Sequence, residues 1–284
     1  MRIVFMGTPE FAATILIGLL ENHLKVVAVF TNPDRPKNRG HKITQPPTKI
    51  IAQLSKIPVF QPGKLCESTV LQEIEKLNPD VIVVAAYGQI IPKEILTIPK
   101  YGCINVHASL LPKYRGGAPI QWTLHNGEKK TGISIILLEE QLDAGPIICQ
   151  CEIKIEPEAT AKTLFATLAE LGKQELIRAL SLIQESDFVA QKQQESAATF
   201  APLLKKEMAF LDFNQEAQKI VNKIRAFNIW PVARANFNEK TAKITNAKVI
   251  LNKFSLSPGE LLNKKGTFVG CKEGAIEFTE FVWI

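Results

Sequence analysis

The chain has 284 residues, of which 46% are hydrophobic and 22% charged, and it carries a net charge of +6 at neutral pH. That length is long for one core and implies two domains, and the composition excludes a disordered or fibrous chain. The opening Met1-Arg-Ile-Val-Phe-Met-Gly7 runs straight into a strand-like segment and no apolar run is long enough to cross a bilayer, so no membrane partner and a cytoplasmic location are expected.

Five cysteines, Cys66, Cys103, Cys149, Cys151 and Cys271, form no CxxC pair. They fit reduced thiols better than a disulfide framework or a zinc site, and no structural metal is expected.

In chain order, residues 2–6 read as a short buried strand. Gly7-Thr8-Pro9 follows as a turn, with Thr8 as N-cap and Pro9 at the first helical position of a helix over 10–21. Strands are expected at 26–30, 81–85 and 102–107, a short one at 59–60, and a helix at 69–77. Residues 131–138 and 146–155 add two strands, and 161–186 reads as a long amphipathic helix closing the domain. Continuous Val/Ile strands of this kind occur where helices cover both faces of a sheet, so the expected architecture is α/β, a doubly wound and mostly parallel sheet of the Rossmann type.

Residues 191–201 are polar and aperiodic. They place a linker, taken over 191–206, between a first domain of residues 1–190 and a second of residues 207–284. In the second, Asn214 is expected to cap a helix that puts Ile220, Val221, Ile224 and Phe227 on one stripe and ends at Trp230-Pro231. Short segments at 232–237, 242–244, 248–254, 267–271 and 275–282 then indicate a small OB-like β-barrel.

Charge is unevenly spread. Residues 203–284 hold 13 Lys and Arg against 8 Asp and Glu, and the stretch 31–49 holds Arg35, Lys37, Arg39, Lys42 and Lys49 against Asp34 alone. Together these form either a surface for a polyanion or simply solvated basic segments.

The densest chemistry lies in Asn105-Val-His107-Ala-Ser109-Leu-Leu-Pro112. In an extended segment Asn105, His107 and Ser109 share one face, and Pro112-Lys-Tyr-Arg-Gly-Gly-Ala-Pro119 follows as a loop. Polar groups then gather at a strand end, where open parallel sheets place their ligand crevice. The competing reading is an ordinary strand end with a satisfied histidine. The first turn lacks G-x-G-x-x-G, and no phosphate loop, G-x-S-x-G elbow or metal-chelating His pair is present, so dinucleotide and common hydrolase chemistry are unsupported.

The chain resembles the methionyl-tRNA formyltransferase family along nearly its whole length. The resemblance runs through Phe5-Met-Gly-Thr-Pro-Glu-Phe11, Asn32-Pro-Asp-Arg-Pro36, Arg39-Gly40 and Ala86-Tyr-Gly-Gln-Ile-Ile-Pro92. It continues through Asn105-Val-His-Ala-Ser-Leu-Leu-Pro112, Arg115-Gly-Gly-Ala-Pro-Ile-Gln121 and Leu142-Asp-Ala-Gly-Pro146. The Asn-x-His and Ser-Leu-Leu-Pro elements occur across folate-dependent formyltransferases. The opening turn, the basic 31–49 loop and the second-domain Ile224-Arg-Ala-Phe227 and Trp230-Pro231 signals single out the tRNA enzymes.

The resemblance implies transfer of a formyl group from 10-formyltetrahydrofolate to initiator methionyl-tRNA by a monomeric enzyme of translation initiation. Such transfer passes through a tetrahedral centre, which needs oxyanion donors and a proton path between two nitrogens. Asn105, His107 and Asp143 are implied as catalytic: Asn105 and His107 at the formyl oxygen, Asp143 holding the imidazole or accepting a proton. From the residues alone the reading of Asp143 as a turn aspartate is the favoured one, and the resemblance reverses it. Cys103, on the same predicted face, reads as a small buried hydrophobe, since direct amine attack needs no thiol.

Ser109, Leu110, Leu111 and Pro112 are implied as folate-binding, with Tyr87 and Ile91 as apolar walls. Arg115 would adjoin the site, and family members often have alanine where Gly117 stands. Arg39 is implied as the principal tRNA contact, supported by Lys37 and Lys42 and by Lys205 and Lys206 at the entrance to the second domain. Family members usually continue beyond Phe281-Val-Trp-Ile284, so the second domain reads as short of its last elements.

Two other functions are weighed. A folate-dependent formyltransferase or hydrolase acting on a small-molecule amine has no evident need for the basic appended domain. A non-catalytic RNA-binding module would predict loss of Asn105, His107 or Asp143, and all three are present.

Overall fold

The structure, a computed structural model, describes residues 1–37, 42–238 and 240–284. These pack as two units. The first comprises Met1–Gly116, Gly132–Ile153 and Ala166–Phe200, and the second Gly117–Thr131, Lys154–Phe165 and Ala201–Ile284.

The chain opens with β1 (Arg2–Gly7), α1 (Glu10–Glu21) and β2 (Lys25–Phe30). A two-stranded ribbon, β3 (Arg35–Lys37) and β4 (Lys42–Thr44), precedes α2 (Pro47–Leu54) and β5 (Val59–Phe60). Then come α3 (Ser68–Leu77), β6 (Val81–Ala85), α4 (Lys93–Leu96), β7 (Cys103–His107), α5 (Pro119–His125), β8 (Lys130–Leu137), β9 (Ile147–Lys154) and α6 (Ala161–Leu182).

The seven-stranded sheet has the order β5-β2-β1-β6-β7-β8-β9. Its first five strands are parallel, and β8 runs antiparallel to β7. β1 and β6 are all but solvent-free, which is why their sequences are runs of Val, Ile, Phe and Met rather than alternating ones. The chain turns outward in opposite directions from β1 and β6, so the carboxyl ends of β1, β6 and β7 frame a topological switch point.

Unit two contains α7 (Ala217–Ala226) and five antiparallel strands: β10 (Ala233–Phe237), β11 (Lys240–Ile250), β12 (Leu261–Lys264), β13 (Gly266–Gly270) and β14 (Ala275–Trp283). Their order, β10-β11-β14-β13-β12, forms the small OB-like domain expected from the sequence. Ile220, Val221, Ile224 and Phe227 are buried, as their shared stripe predicts.

Several local expectations need correction. Thr8 does not cap α1: its hydroxyl donates to the Tyr87 carbonyl at 3.2 Å and accepts the Asn32 N–H at 3.3 Å, tying the loop after β1 to the loop after β6. Asn214 does not cap α7, which starts after Glu216; its backbone N–H and side-chain amide both donate to Asp212 Oδ1, at 3.0 and 3.1 Å, and close a local turn. Part of the stretch expected as a basic loop is the β3/β4 ribbon, paired Arg35 to Thr44, Pro36 to Ile43 and Lys37 to Lys42.

Candidate active site

Strand β7 is held on both sides, Asn105 lying opposite Val84 of β6 and Ile136 of β8. Period-two alternation then fixes where its polar side chains go. The Cys103 thiol points into the core toward the Ile95 carbonyl, and burial pushes its pKa up to about 12, so it is no nucleophile at neutral pH.

Asn105 and His107 converge on one carboxylate. Asn105 Nδ2 donates to Asp143 Oδ1 at 3.2 Å, and His107 Nδ1 lies 3.5 Å from Asp143 Oδ2. His107 and Asp143 are buried, whereas Asn105 is half-exposed. The other imidazole nitrogen, Nε2, sits 2.9 Å from the Tyr114 carbonyl. A carbonyl only accepts, so Nε2 carries the hydrogen, and Nδ1 is the nitrogen that faces Asp143. Asn105 commits one of its two amide N–H groups to the carboxylate, which leaves the other for an incoming acceptor.

Asp143 lies in the loop between β8 and β9 in the left-handed region, at φ +50°. Its Oδ2 also accepts the Gly116 N–H at 2.8 Å. Gly116 itself sits at φ +119°, a conformation side chains resist, so this donor position calls for glycine. Tyr114, at φ +62°, donates its N–H to Thr199 Oγ1 at 2.9 Å. Two left-handed non-glycine residues, Asp143 and Tyr114, thus hold His107 from either side, the kind of clustering found where backbone strain serves a site.

The other sequence-predicted groups fall into two sets. Ser109 is buried and its hydroxyl donates to the Lys113 carbonyl at 2.7 Å, shaping the turn through Leu110, Leu111 and Pro112 rather than facing outward. That turn rests on Ser134, whose Oγ donates to the Ser109 carbonyl at 2.6 Å and accepts the Leu111 N–H at 3.0 Å. Tyr87 is buried in the apolar cluster with Met6, Phe30 and Val84, and Ile91 packs against it. Its phenol has no partner among the described residues, and burial pushes its pKa to about 12. Tyr87 is therefore part of the wall behind the loop over residues 86–92, which bends at Ala86 and Gly88 with positive φ.

Arg115 does not reach outward: it is 1% exposed, with its guanidinium paired to Glu195 and Gln193. Lys205 and Lys206 are exposed. Arg39 and the side chains of Lys37 and Lys42 lie outside the described residues. Lys49 is engaged with Asp34 at 2.8 Å, and that hydrogen bond, with one from Gln61, holds the Asp34 carboxyl below its ordinary range.

Residues 1–180 match the formyl transferase family and residues 203–282 match the formyl transferase C-terminal domain. A methionyl-tRNA formyltransferase from Geobacter metallireducens is 43% identical over 282 residues, covering 99% of this chain and 90% of that protein. The chain belongs to the methionyl-tRNA formyltransferase family.

Solved structures share its fold at lower identity. Methionyl-tRNA formyltransferase from Clostridium thermocellum matches with a TM-score of 0.65 at 20% identity, covering 100% of this chain and 99% of that one. HypX from Aquifex aeolicus in complex with tetrahydrofolic acid matches with a TM-score of 0.69 at 19% identity. It covers 99% of this chain, which spans under half, 44%, of the HypX chain.

Within the methionyl-tRNA formyltransferase fold, sequence reasoning brings together Asn105, His107 and Asp143 but misses the groups that hold Asp143 in place. Gly116 falls in a recognised motif; Gln193, inside the apparent linker, carries no sequence signal.

Proposed function

We propose that the chain transfers a formyl group from 10-formyltetrahydrofolate to the α-amino group of methionine on initiator methionyl-tRNA. The observation that carries this reading is the convergence of a half-exposed amide, a tautomer-fixed imidazole and a strained, hydrogen-bonded carboxylate at the carboxyl end of one parallel strand.

The folate supplies the formyl carbon and the nitrogen that leaves. The turn over Ser109, Leu110, Leu111 and Pro112 and the loop over 86–92, backed by Tyr87 and Ile91, are the residues to hold it. Their buried struts and apolar walls suit a flat heterocycle. The second N–H of Asn105 donates to the oxygen that gains charge as the amine adds. The His107–Asp143 pair takes the proton of the attacking amine and returns one to the leaving nitrogen.

Lys37, Arg39 and Lys42 of the basic 31–49 stretch, with Lys205 and Lys206, contact the phosphates of the tRNA. Such contacts position without reading sequence, so each one removed lowers the salt slope of binding by about 0.9. Residues 1–190 are the catalytic domain, 191–206 the linker and 207–284 the tRNA-binding domain of a cytoplasmic monomer.

The test is transfer of a labelled formyl group to initiator methionyl-tRNA, with elongator methionyl-tRNA and free methionine as controls. Selective labelling of the initiator is expected. Labelling of a small amine with no transfer to either tRNA would refute the reading.

A further inference from the structure

The turn at Asp143 is closed locally by the Ala144 N–H on the Gln141 carbonyl at 3.3 Å and is braced from outside as well. Two atoms of its loop, the carbonyl oxygens of Asp143 and Gly145, point at the side-chain amide of Gln193, which donates to them at 2.8 and 2.7 Å. The same amide accepts two hydrogen bonds through Oε1, from Arg115 Nε at 3.2 Å and from Arg115 Nη2 at 2.9 Å. With two carbonyls on one side and a guanidinium on the other, only one orientation of the amide satisfies every group.

Arg115 is buried and closes the ring. Its guanidinium binds Glu195 with both terminal nitrogens, at 2.9 and 2.7 Å, and its chain neighbour Gly116 provides the N–H on Asp143 Oδ2 at 2.8 Å. Thr199 pins the same segment by accepting the Arg115 N–H with its carbonyl at 2.8 Å and the Tyr114 N–H with its hydroxyl at 2.9 Å. Residues 193–199 therefore form a brace across both loops that meet at the carboxylate.

We propose that Gln193 is a positioning residue for formyl transfer: its amide fixes the backbone of the Asp143–Gly145 turn and so sets the carboxylate against Asn105 and His107. The proposal rests on the reading of Asp143 as a catalytic group. It also places part of the apparent linker in the catalytic architecture. Gln193 touches neither Asn105 nor His107; it acts through the turn.

Gln193→Glu is the informative variant. A carboxylate still accepts from Arg115, whose charge Glu195 already balances, so contact on that side survives, but it cannot donate to the two carbonyls and sets an oxygen against them. Misplacement of a reacting group by about 1 Å costs on the order of 100-fold, so a loss of about tenfold to 100-fold in the single-turnover rate is expected. KM for methionyl-tRNA should be unchanged, while the loss of two hydrogen bonds to the turn lowers the thermal midpoint by a few °C.

The deciding measurement is a double-mutant cycle with Asp143→Asn in single-turnover formylation of methionyl-tRNA by the full chain. If Gln193 acts through Asp143, Gln193→Glu costs at least tenfold in the unaltered chain and under twofold beside Asp143→Asn. Equal losses in both backgrounds, or a loss confined to KM, overturn the positioning role. A Gln193→Glu chain that matches the unaltered one while Asp143→Asn is impaired overturns the assignment of Gln193 alone. Near-normal turnover by Asp143→Asn overturns the catalytic reading of Asp143 and the positioning role with it. Gln193→Asn, too short by one methylene to reach both carbonyls, should repeat the loss without adding a charge.

Discussion

Replacing Asn105 by alanine isolates the proposed donor to the formyl oxygen. The backbone at this position is fixed by the parallel ladder with β6 and the antiparallel ladder with β8, so the side chain can be removed without loosening the strand. What the folded chain loses is one hydrogen bond to Asp143, from a half-exposed amide at 3.2 Å, a net of about 0.5 to 1.5 kcal/mol. For a chain of this size that lowers the thermal midpoint by only about 1 to 3 °C.

The reaction loses more. Deleting a preorganised donor to a developing oxyanion typically costs about 2.7 to 4 kcal/mol, which is about 100-fold to 1,000-fold in rate. Asn105→Asp should be slower still, because an acceptor would replace the donor beside a second carboxylate and oppose the negative charge that builds on the oxygen. Single-turnover formylation with saturating folate and charged initiator tRNA, read alongside thermal melts, separates the two effects. An Asn105→Ala chain that turns over within threefold of the unaltered one, or an Asp variant faster than the Ala variant, would refute the donor assignment.

Three further outcomes are expected. Gly145→Ala would drive a Cβ into the Leu137 carbonyl, so the Asp143 turn must shift; activity should fall at least about tenfold, with a stability loss of about 1 to 3 kcal/mol seen in denaturant melts. Ser134→Ala removes the strut under Leu111 and the Ser109 carbonyl, and an increase in KM for the folate with little change in the rate at saturation is the expected kinetic result. His125, stacked on Phe227 and edge-on to Trp122, has its pKa lowered below 6.5 by burial and by the nearby Lys223 charge. The unfolded chain therefore binds a proton that the folded chain rejects, stability falls as pH drops below about 6.5, and His125→Phe should flatten that slope in melts between pH 7 and 5.

The sheet was legible because its central strands β1 and β6 are buried on both faces and their Val/Ile runs leave no other element to build. What escaped was short or locally polar. α2 opens on Pro46-Pro47 and its eight residues carry only Thr48 and Ala52 into the interior, too little periodicity to separate it from the basic stretch before it. α5 starts at Pro119, the last residue of the Gly116-Gly117-Ala-Pro119 cluster that reads as loop, and lasts seven residues. β11 was expected as two pieces because Thr245-Asn246 interrupts its apolar pattern. That is where the register with β14 shifts, so the break in pattern marked a bulge rather than a strand end. In the site, period two gave Asn105 and His107 a common face. Asp143 came only from the family resemblance, since a contact across 38 residues leaves no mark on local pattern. The Gln193 contact spans 50 residues and sits in polar, aperiodic sequence, where linker composition and a hydrogen-bonding brace look alike.

The tautomer of His107 assigns the work under the proposed reaction. The Tyr114 carbonyl claims the hydrogen on Nε2, so the imidazole has only Nδ1 with which to exchange a proton, and Nδ1 faces Asp143 at 3.5 Å. A proton shed by the attacking amine can be held between Nδ1 and the carboxylate until the leaving nitrogen takes it. Transfer between two amines needs such a site: one nitrogen sheds a proton as the bond to carbon forms, and the other gains one as its bond breaks. Asn105 has no proton to give up at neutral pH, so its amide can stabilise charge on the oxygen through both stages without entering the proton traffic. Division between a non-titrating donor and a shared-proton pair works only if the carboxylate stays where both can reach it. That is why the Gly116 N–H and the backbone of the Asp143 turn, rather than the identity of the three side chains alone, decide whether the site functions.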